Sequence, residues 1–95
     1  MNDRLESRFQ EMTRASLAKG EIKYAGNPAP SRPSADIAEE AKCEAVDFLL
    51  WSGFLSESMD REGTLTDLNL GRLKHAQYHA RHAWEIIESM FPKAT

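Results

Sequence analysis

The sequence has little of what strands, disulfides and membrane spans are built from. It contains one valine, four isoleucines and a single cysteine, Cys43, against twelve alanines and nine leucines. That balance favours helices over strands, and a lone cysteine excludes an internal disulfide and a cysteine-rich metal site. The longest apolar run is the four residues from Phe48 to Trp51, whereas a helix that spans a bilayer needs about twenty.

Length and charge narrow the class of protein further. The 95 residues suffice for one domain, and 41% hydrophobic with 28% charged residues is ordinary for a globular chain. Seven charged side chains within the first twenty residues argue against a secretory signal, so we expect a cytoplasmic protein without a membrane span. A formal net charge of −3 does not favour nucleic acid as a partner.

The spacing of apolar residues predicts an all-α protein built from a short helix, a connector and a long hairpin. Leu5, Phe9 and Met12 recur at helical spacing, and Gly20 is placed to end a helix over residues 1–20. Three of the four prolines fall within residues 27–34, which predicts an irregular Pro-rich connector over residues 21–34. An antiparallel helical hairpin is predicted over residues 35–95, with its turn at residues 61–63.

Both helices of the hairpin have a predicted start and a predicted buried face. Ser34 or Asp36 is expected to cap the first of them, and Thr64 with Asp67 the second. At 100° per residue, the residues that share the expected core face of the first are Ile37, Ala41, Ala45, Phe48, Ser52, Leu55 and Met59. Those expected on the buried face of the second are Leu65, Leu73, Ala76, Ala80, Ala83, Trp84, Ile87 and Phe91.

A second apolar stripe on the first hairpin helix points to a partner. Val46, Leu50 and Phe54 follow at four-residue steps on roughly the opposite side from the expected core face, with Trp51 at their flank. One antiparallel neighbour cannot cover a helix that is apolar on two sides, so the N-terminal helix or another subunit must cover the rest. We predict an interface at these four residues and a homo-oligomer, most simply a dimer with a four-helix core.

The three histidines form the most unusual pattern in the sequence. His75, His79 and His82 fall within about 60° of one helix face. Two histidines four residues apart can chelate one metal, but the outer two are about 10 Å apart along the helix, so all three cannot share an ion. More ligands would have to come from another subunit or from the neighbouring helix, which offers Cys43, Glu44, Asp47 and Glu57. We expect no metal and no other cofactor.

Two other interpretations of the helix face that carries the three histidines remain open. It can hold an anionic ligand such as a nucleotide, in a site formed by Arg72, His75, Tyr78, His79, Arg81 and His82. It can also be the rim of a helix contact, with no ligand.

Signatures of catalysis are missing. The sequence has no Gly-rich phosphate loop, no nucleophile elbow and no HExxH motif. Asp36-x-x-Glu39 and Glu57-x-x-Asp60 weakly resemble the paired acidic motifs of all-α nucleotide pyrophosphohydrolases, which hold magnesium between helices. On one continuous helix the two pairs would lie about 30 Å apart and could not share a metal. We therefore expect no enzyme, but a self-associating interaction protein, an adaptor or inhibitor that occupies a surface of another protein.

Overall fold

The computed structural model describes residues 3–23 and 32–93, and these residues form three α-helices. Helix α1 spans Asp3–Lys23, α2 spans Ser34–Glu62 and α3 spans Asp67–Met90. The described part of the chain contains no strand, so the all-α prediction is confirmed. The chain divides into two compact units, Met1–Arg32 and Pro33–Thr95. Most of the predicted Pro-rich connector, residues 24–31, lies outside the described residues.

Helix α1 is amphipathic with a narrow apolar stripe, as predicted, but it is longer than predicted. It runs three residues past Gly20, which therefore does not end it. Leu5, Phe9 and Met12 are all more than half exposed. An exposed ion pair between Arg8 and Glu11, at 3.1 Å, lies along the helix surface. Such a pair contributes at most about 0.5 kcal/mol, so the stability of α1 depends on what covers its apolar stripe.

Helix α2 starts without a side-chain cap. Its N-cap residue is Pro33, whose carbonyl accepts the backbone N–H groups of Asp36 and Ile37, so the predicted caps at Ser34 and Asp36 are wrong. The C-terminal end is better defined. Gly63 adopts the left-handed conformation, with φ of 74°, and its N–H donates to the carbonyl of Asp60. Glycine reaches this conformation without the steric cost of a Cβ, so it both ends α2 and turns the chain.

Helix α3 is capped by Thr66, and the predicted cap at Thr64 is wrong. The Thr66 hydroxyl accepts the backbone N–H of Asn69 at 3.1 Å, three residues into the helix. Asp67, in the first turn, places a negative charge near the positive end of the helix dipole. The helix continues through Gly71 and stops at Met90, one residue before the predicted end.

Small and polar side chains occupy the seam between α2 and α3. Seven of the buried or half-buried residues of α2 recur at alternating steps of four and three, and Ala41 of the predicted core face is half-buried beside them. The seven are Ala38, Lys42, Ala45, Leu49, Ser52, Ser56 and Met59. Half-buried positions of α3 with matching spacing are Leu70, Leu73, Gln77, Ala80, Trp84 and Ile87. This is the spacing of two helices that cross at a shallow angle. Among the described residues, Ala38 is the one buried apolar side chain.

The predicted core face of α2 is therefore wrong in part. Ala45, Ser52 and Met59 do lie in the seam, whereas Ile37, Phe48 and Leu55 are 37–49% exposed. The face is rotated because Lys42 and Ser56, which a search for apolar residues passes over, belong to it. On α3 the predicted face is largely half-buried, but Ala83 and Phe91 are exposed.

Lys42 joins the two helices through a buried ammonium group. Its side chain is only 4% exposed. Its Nζ lies 2.5 Å from Glu39 on α2, 2.6 Å from Glu88 on α3 and 3.0 Å from the carbonyl oxygen of Phe91. Three acceptors match the three N–H bonds of an ammonium group, so the buried charge is fully hydrogen-bonded.

The same contacts shift two pKa values. The hydrogen bonds that Lys42 donates to Glu39 and then to Glu88 raise the pKa of Lys42 above its ordinary value. The hydrogen bond from Lys42, followed by that from the backbone N–H of Lys93, lowers the pKa of Glu88. Both shifts favour the charged forms, so the ion pair persists across neutral pH.

Removing the cap of α3 should destabilise the hairpin. Thr66→Ala leaves the Asn69 N–H without its acceptor, so we expect a loss of about 1 kcal/mol in the free energy of unfolding, measured by urea denaturation at fixed protein concentration. Thr66→Ser keeps the hydroxyl and serves as the matched control, with stability near that of the unaltered protein. Equal losses in the two variants would contradict the role of the hydroxyl.

Glu88 should make the stability of the hairpin depend on pH in the acid range. Its pKa is lower in the folded chain, so its stabilising contribution is present above the unfolded value near 4.5 and is lost as the pH falls through the folded value. Glu88→Gln should lower the urea midpoint at pH 7 and flatten its decline in acid. Glu39→Gln, which changes a Lys42 partner on the same helix, should cost less. Equal midpoints for the two variants, or an unchanged acid profile in Glu88→Gln, would show that Glu88 does not hold the helices together.

Candidate interaction surface

The outer surface of α2 carries large apolar side chains that the contact with α3 leaves exposed. Val46, Leu50, Trp51 and Phe54, the predicted interface, are 41–71% exposed. Ile37, Phe48 and Leu55 add to them. We call these seven residues the α2 apolar surface. Helix α3 thus leaves the four residues of the predicted interface and these three further residues exposed.

The α2 apolar surface lies on both sides of the seam. At 100° per residue, Ile37, Phe48 and Leu55 fall on one flank of the seam. Val46 falls on the other flank, where it lines an open groove together with Trp84 of α3. The contact with α3 thus leaves apolar side chains exposed on either side of it.

Two aromatic rings define the centre of this surface. Trp51 and Phe54 pack edge to face, with ring centroids 5.8 Å apart and an interplanar angle of 86°. Trp51 is also the most exposed of the large apolar side chains on the described residues, at 71%. A tryptophan paired with phenylalanine in this way presents a rigid apolar area at little entropic cost, which is typical of interface centres.

The groove beside Val46 is open and has both apolar and charged side chains in its lining. It is lined by Glu39, Lys42, Cys43, Val46, Asp47, Trp84, Glu88 and Lys93. Cys43 is exposed, and the carboxylates of Glu39 and Asp47 line the same groove. The ammonium of Lys42 is occupied by three oxygen atoms.

The histidine edge of α3 is an exposed row of rings in mutual contact. The Nε2 atoms of His75 and His79 lie 3.0 Å apart, and the two rings are nearly perpendicular, with centroids 4.4 Å apart. Tyr78 meets His79 edge-on at 5.6 Å and stacks on His82 at 6.1 Å. The structure thus brings together four of the six residues predicted for a ligand site.

Neither arginine of the predicted ligand site is stacked on these rings. Arg81 pairs with Glu85 at 3.6 Å on the exposed surface of α3. Arg72 is exposed and makes no ring contact with the histidines. The edge is therefore an aromatic row rather than a pocket of converging cations.

Features typical of a multi-ligand metal site or a membrane span are not found in the described residues. They contain no group of three or more His, Cys, Asp or Glu side chains arranged to hold a metal. The acidic pairs at 36/39 and 57/60 lie on one continuous helix, α2, as the sequence predicts. No helix within the same residues is long and apolar enough to cross a bilayer.

Sequence reasoning missed part of the exposed surface because it counted Ile37, Phe48 and Leu55 as core. The signal that identifies them as exposed is the four-three spacing of Ala38, Lys42 and Ala45, which is the spacing of the true seam. Lys42 itself was missed because a lysine is rarely buried unless it is paired.

No family model, curated protein or solved structure matches the chain. The functional proposal below is therefore based on the chemistry and the placement of the chain's own residues.

Proposed function

We propose that the chain is a self-associating helical interaction protein without catalytic activity, and that a second copy covers the α2 apolar surface. The observation that carries the proposal is that the hairpin buries far fewer apolar side chains than it leaves exposed. Its seam buries one apolar side chain, Ala38, while seven larger ones on α2 stay exposed. Apolar burial is the main stabilising contribution to folding, so a hairpin of this kind needs a further contact.

The exposed area is large enough for a stable interface. An aromatic side chain buries about 150–250 Å² when it is fully covered, so Phe48, Trp51 and Phe54 at their observed exposures offer about 300 Å² together. The aliphatic members of the surface add to this. One partner contributes about 800 Å² to a typical stable interface, which the α2 apolar surface and adjoining residues can approach.

Charge favours α3 of the second copy as the element that lies against α2. Helix α2 carries eight acidic and two basic residues, so two α2 helices side by side would repel each other. Helix α3 carries three of each sign and all three histidines. An antiparallel four-helix bundle with α2 against α3 of the partner satisfies both the apolar surface and the charge pattern.

An assembled bundle of this size would act by occupying a surface of another protein, as an adaptor or an inhibitor does.

The cytoplasmic location stays a prediction from the sequence. Binding of an anion or a nucleotide at the histidine edge also stays a prediction, and no contact favours it, because Arg81 is paired with Glu85 and His75 with His79.

Disrupting the apolar surface should dissociate the assembly. Leu50→Ser with Phe54→Ser removes two exposed apolar side chains without touching the seam, so we expect light scattering to report the mass of a monomer where the unaltered protein is a dimer. Circular dichroism should show retained helix. Leu68→Ser, at an equally exposed leucine in the first turn of α3, is the matched control and should remain dimeric.

Two results would contradict this proposal. A monomeric mass for the unaltered protein at micromolar concentration would rule out self-association and leave α1 as the cover of α2. Dissociation by Phe48→Ser with Leu55→Ser, but not by the Leu50 and Phe54 pair, would move the interface to the other flank of the seam.

Tryptophan emission should report the same contact. Trp84→Phe leaves Trp51 as the sole tryptophan, so its emission should shift to shorter wavelength as protein concentration rises and the second copy removes water from the ring. The same measurement on Trp84→Phe combined with the Leu50 and Phe54 changes should show no shift. Emission that stays constant while light scattering reports assembly would place Trp51 outside the interface.

A further inference from the structure

We infer that His75 and His79 form an open two-histidine site for a divalent zinc-like cation on the outer surface of α3. The inference rests on the ring geometry and is independent of self-association. The Nε2 atoms of the two rings face each other at 3.0 Å, and both side chains are exposed to solvent.

The separation of the two nitrogen atoms is that of two ligands of one ion. Zinc–nitrogen bonds are about 2.0–2.1 Å long, so two imidazoles at one tetrahedral or square-planar ion have their nitrogen atoms about 2.9–3.4 Å apart. The 3.0 Å between His75 and His79 falls within this range. The helix itself sets the arrangement, because residues four apart lie one above the other on the same face.

An ion would replace the proton that the pair now shares. In the metal-free protein, one Nε2–H donates to the other Nε2, whose lone pair accepts it. When the donor ring moves its proton to its own Nδ1 through solvent, both Nε2 atoms present a lone pair, and no net proton is released. Water would complete the coordination, since the described residues offer no third ligand beside the pair.

His82 provides an internal comparison on the same helix. It lies three residues beyond His79, but its ring stacks flat against Tyr78, with an interplanar angle of 9°. The described structure shows no close nitrogen–nitrogen contact between His82 and either of the other histidines. The site therefore includes two of the three histidines, and the third serves as a control of the same chemistry.

The test is a titration of the protein with Zn²⁺ alone. Calorimetry measures the binding of the ion, and long-range ¹H–¹⁵N spectra report on the imidazole rings. We expect saturable binding of one ion and shifts of the Nε2 signals of His75 and His79, with the His82 signals unchanged. His75→Ala and His79→Ala should each lower the affinity about tenfold or more, and His82→Ala should leave it unchanged. Alanine favours helix at exposed positions, so circular dichroism should confirm that all three variants stay folded.

Three outcomes would overturn the site. These are the absence of saturable binding, an affinity that falls as far in His82→Ala as in the other two variants, and shifts of all three histidines in parallel. The last two results would indicate diffuse attraction of the ion to a histidine-rich edge. Because the readout is the ion and the rings themselves, the result does not depend on whether the chain is a monomer or a dimer.

Discussion

The buried ammonium group of Lys42 is the contact on which the hairpin depends. The turn at Gly63 joins α2 and α3 at one end, and Lys42 lies 21 residues earlier, about 30 Å along the helix. There it joins α2 to Glu88 of α3 and to the carbonyl oxygen of Phe91, the residue after α3. Removing a charge from water is costly unless every hydrogen bond is replaced, so this arrangement tolerates one register only. The hydrogen bond from Gln77 to Ser52, at 3.0 Å, fixes the same register midway along the seam.

The composition of the seam explains why large apolar side chains of α2 stay exposed outside it. Polar contacts at Lys42, Ser52 and Gln77 specify how the helices align, but they add little net stability, since each replaces a hydrogen bond to water. Alanine at positions 38 and 45 lets the helices approach closely and buries little area. The large apolar residues of α2 are therefore left exposed outside the seam. The specificity of the hairpin and its exposed apolar surface have the same cause.

Sequence reasoning recovered the elements of the fold, but not the angle at which α2 meets α3. Helix type follows from local composition and spacing, so the hairpin and its turn at Gly63 could be predicted. The seam could not, because Phe48 and Lys42 lie only about 120° apart around the helix axis and hydrophobicity favours the phenylalanine. Only the partners of Lys42 on the other helix make the lysine the buried residue, and a single sequence does not show pairs. The same limit applies to His75 and His79. Their spacing predicts a shared face, but ring rotation decides whether the nitrogen atoms meet.

If a second copy covers α2, the stability of the hairpin should depend on its association with that copy. The seam alone sets the register, and the apolar contribution to folding would come from Phe48, Leu50, Trp51 and neighbouring residues only after they are covered. The apparent stability of the hairpin would then rise with protein concentration, because association adds to the contacts of the seam. A surface built in this way is also easily transferred from one partner to another, because the seam is unaffected by the exchange. That property suits an adaptor or an inhibitor better than an enzyme, whose site needs side chains that are held in place in every state of assembly.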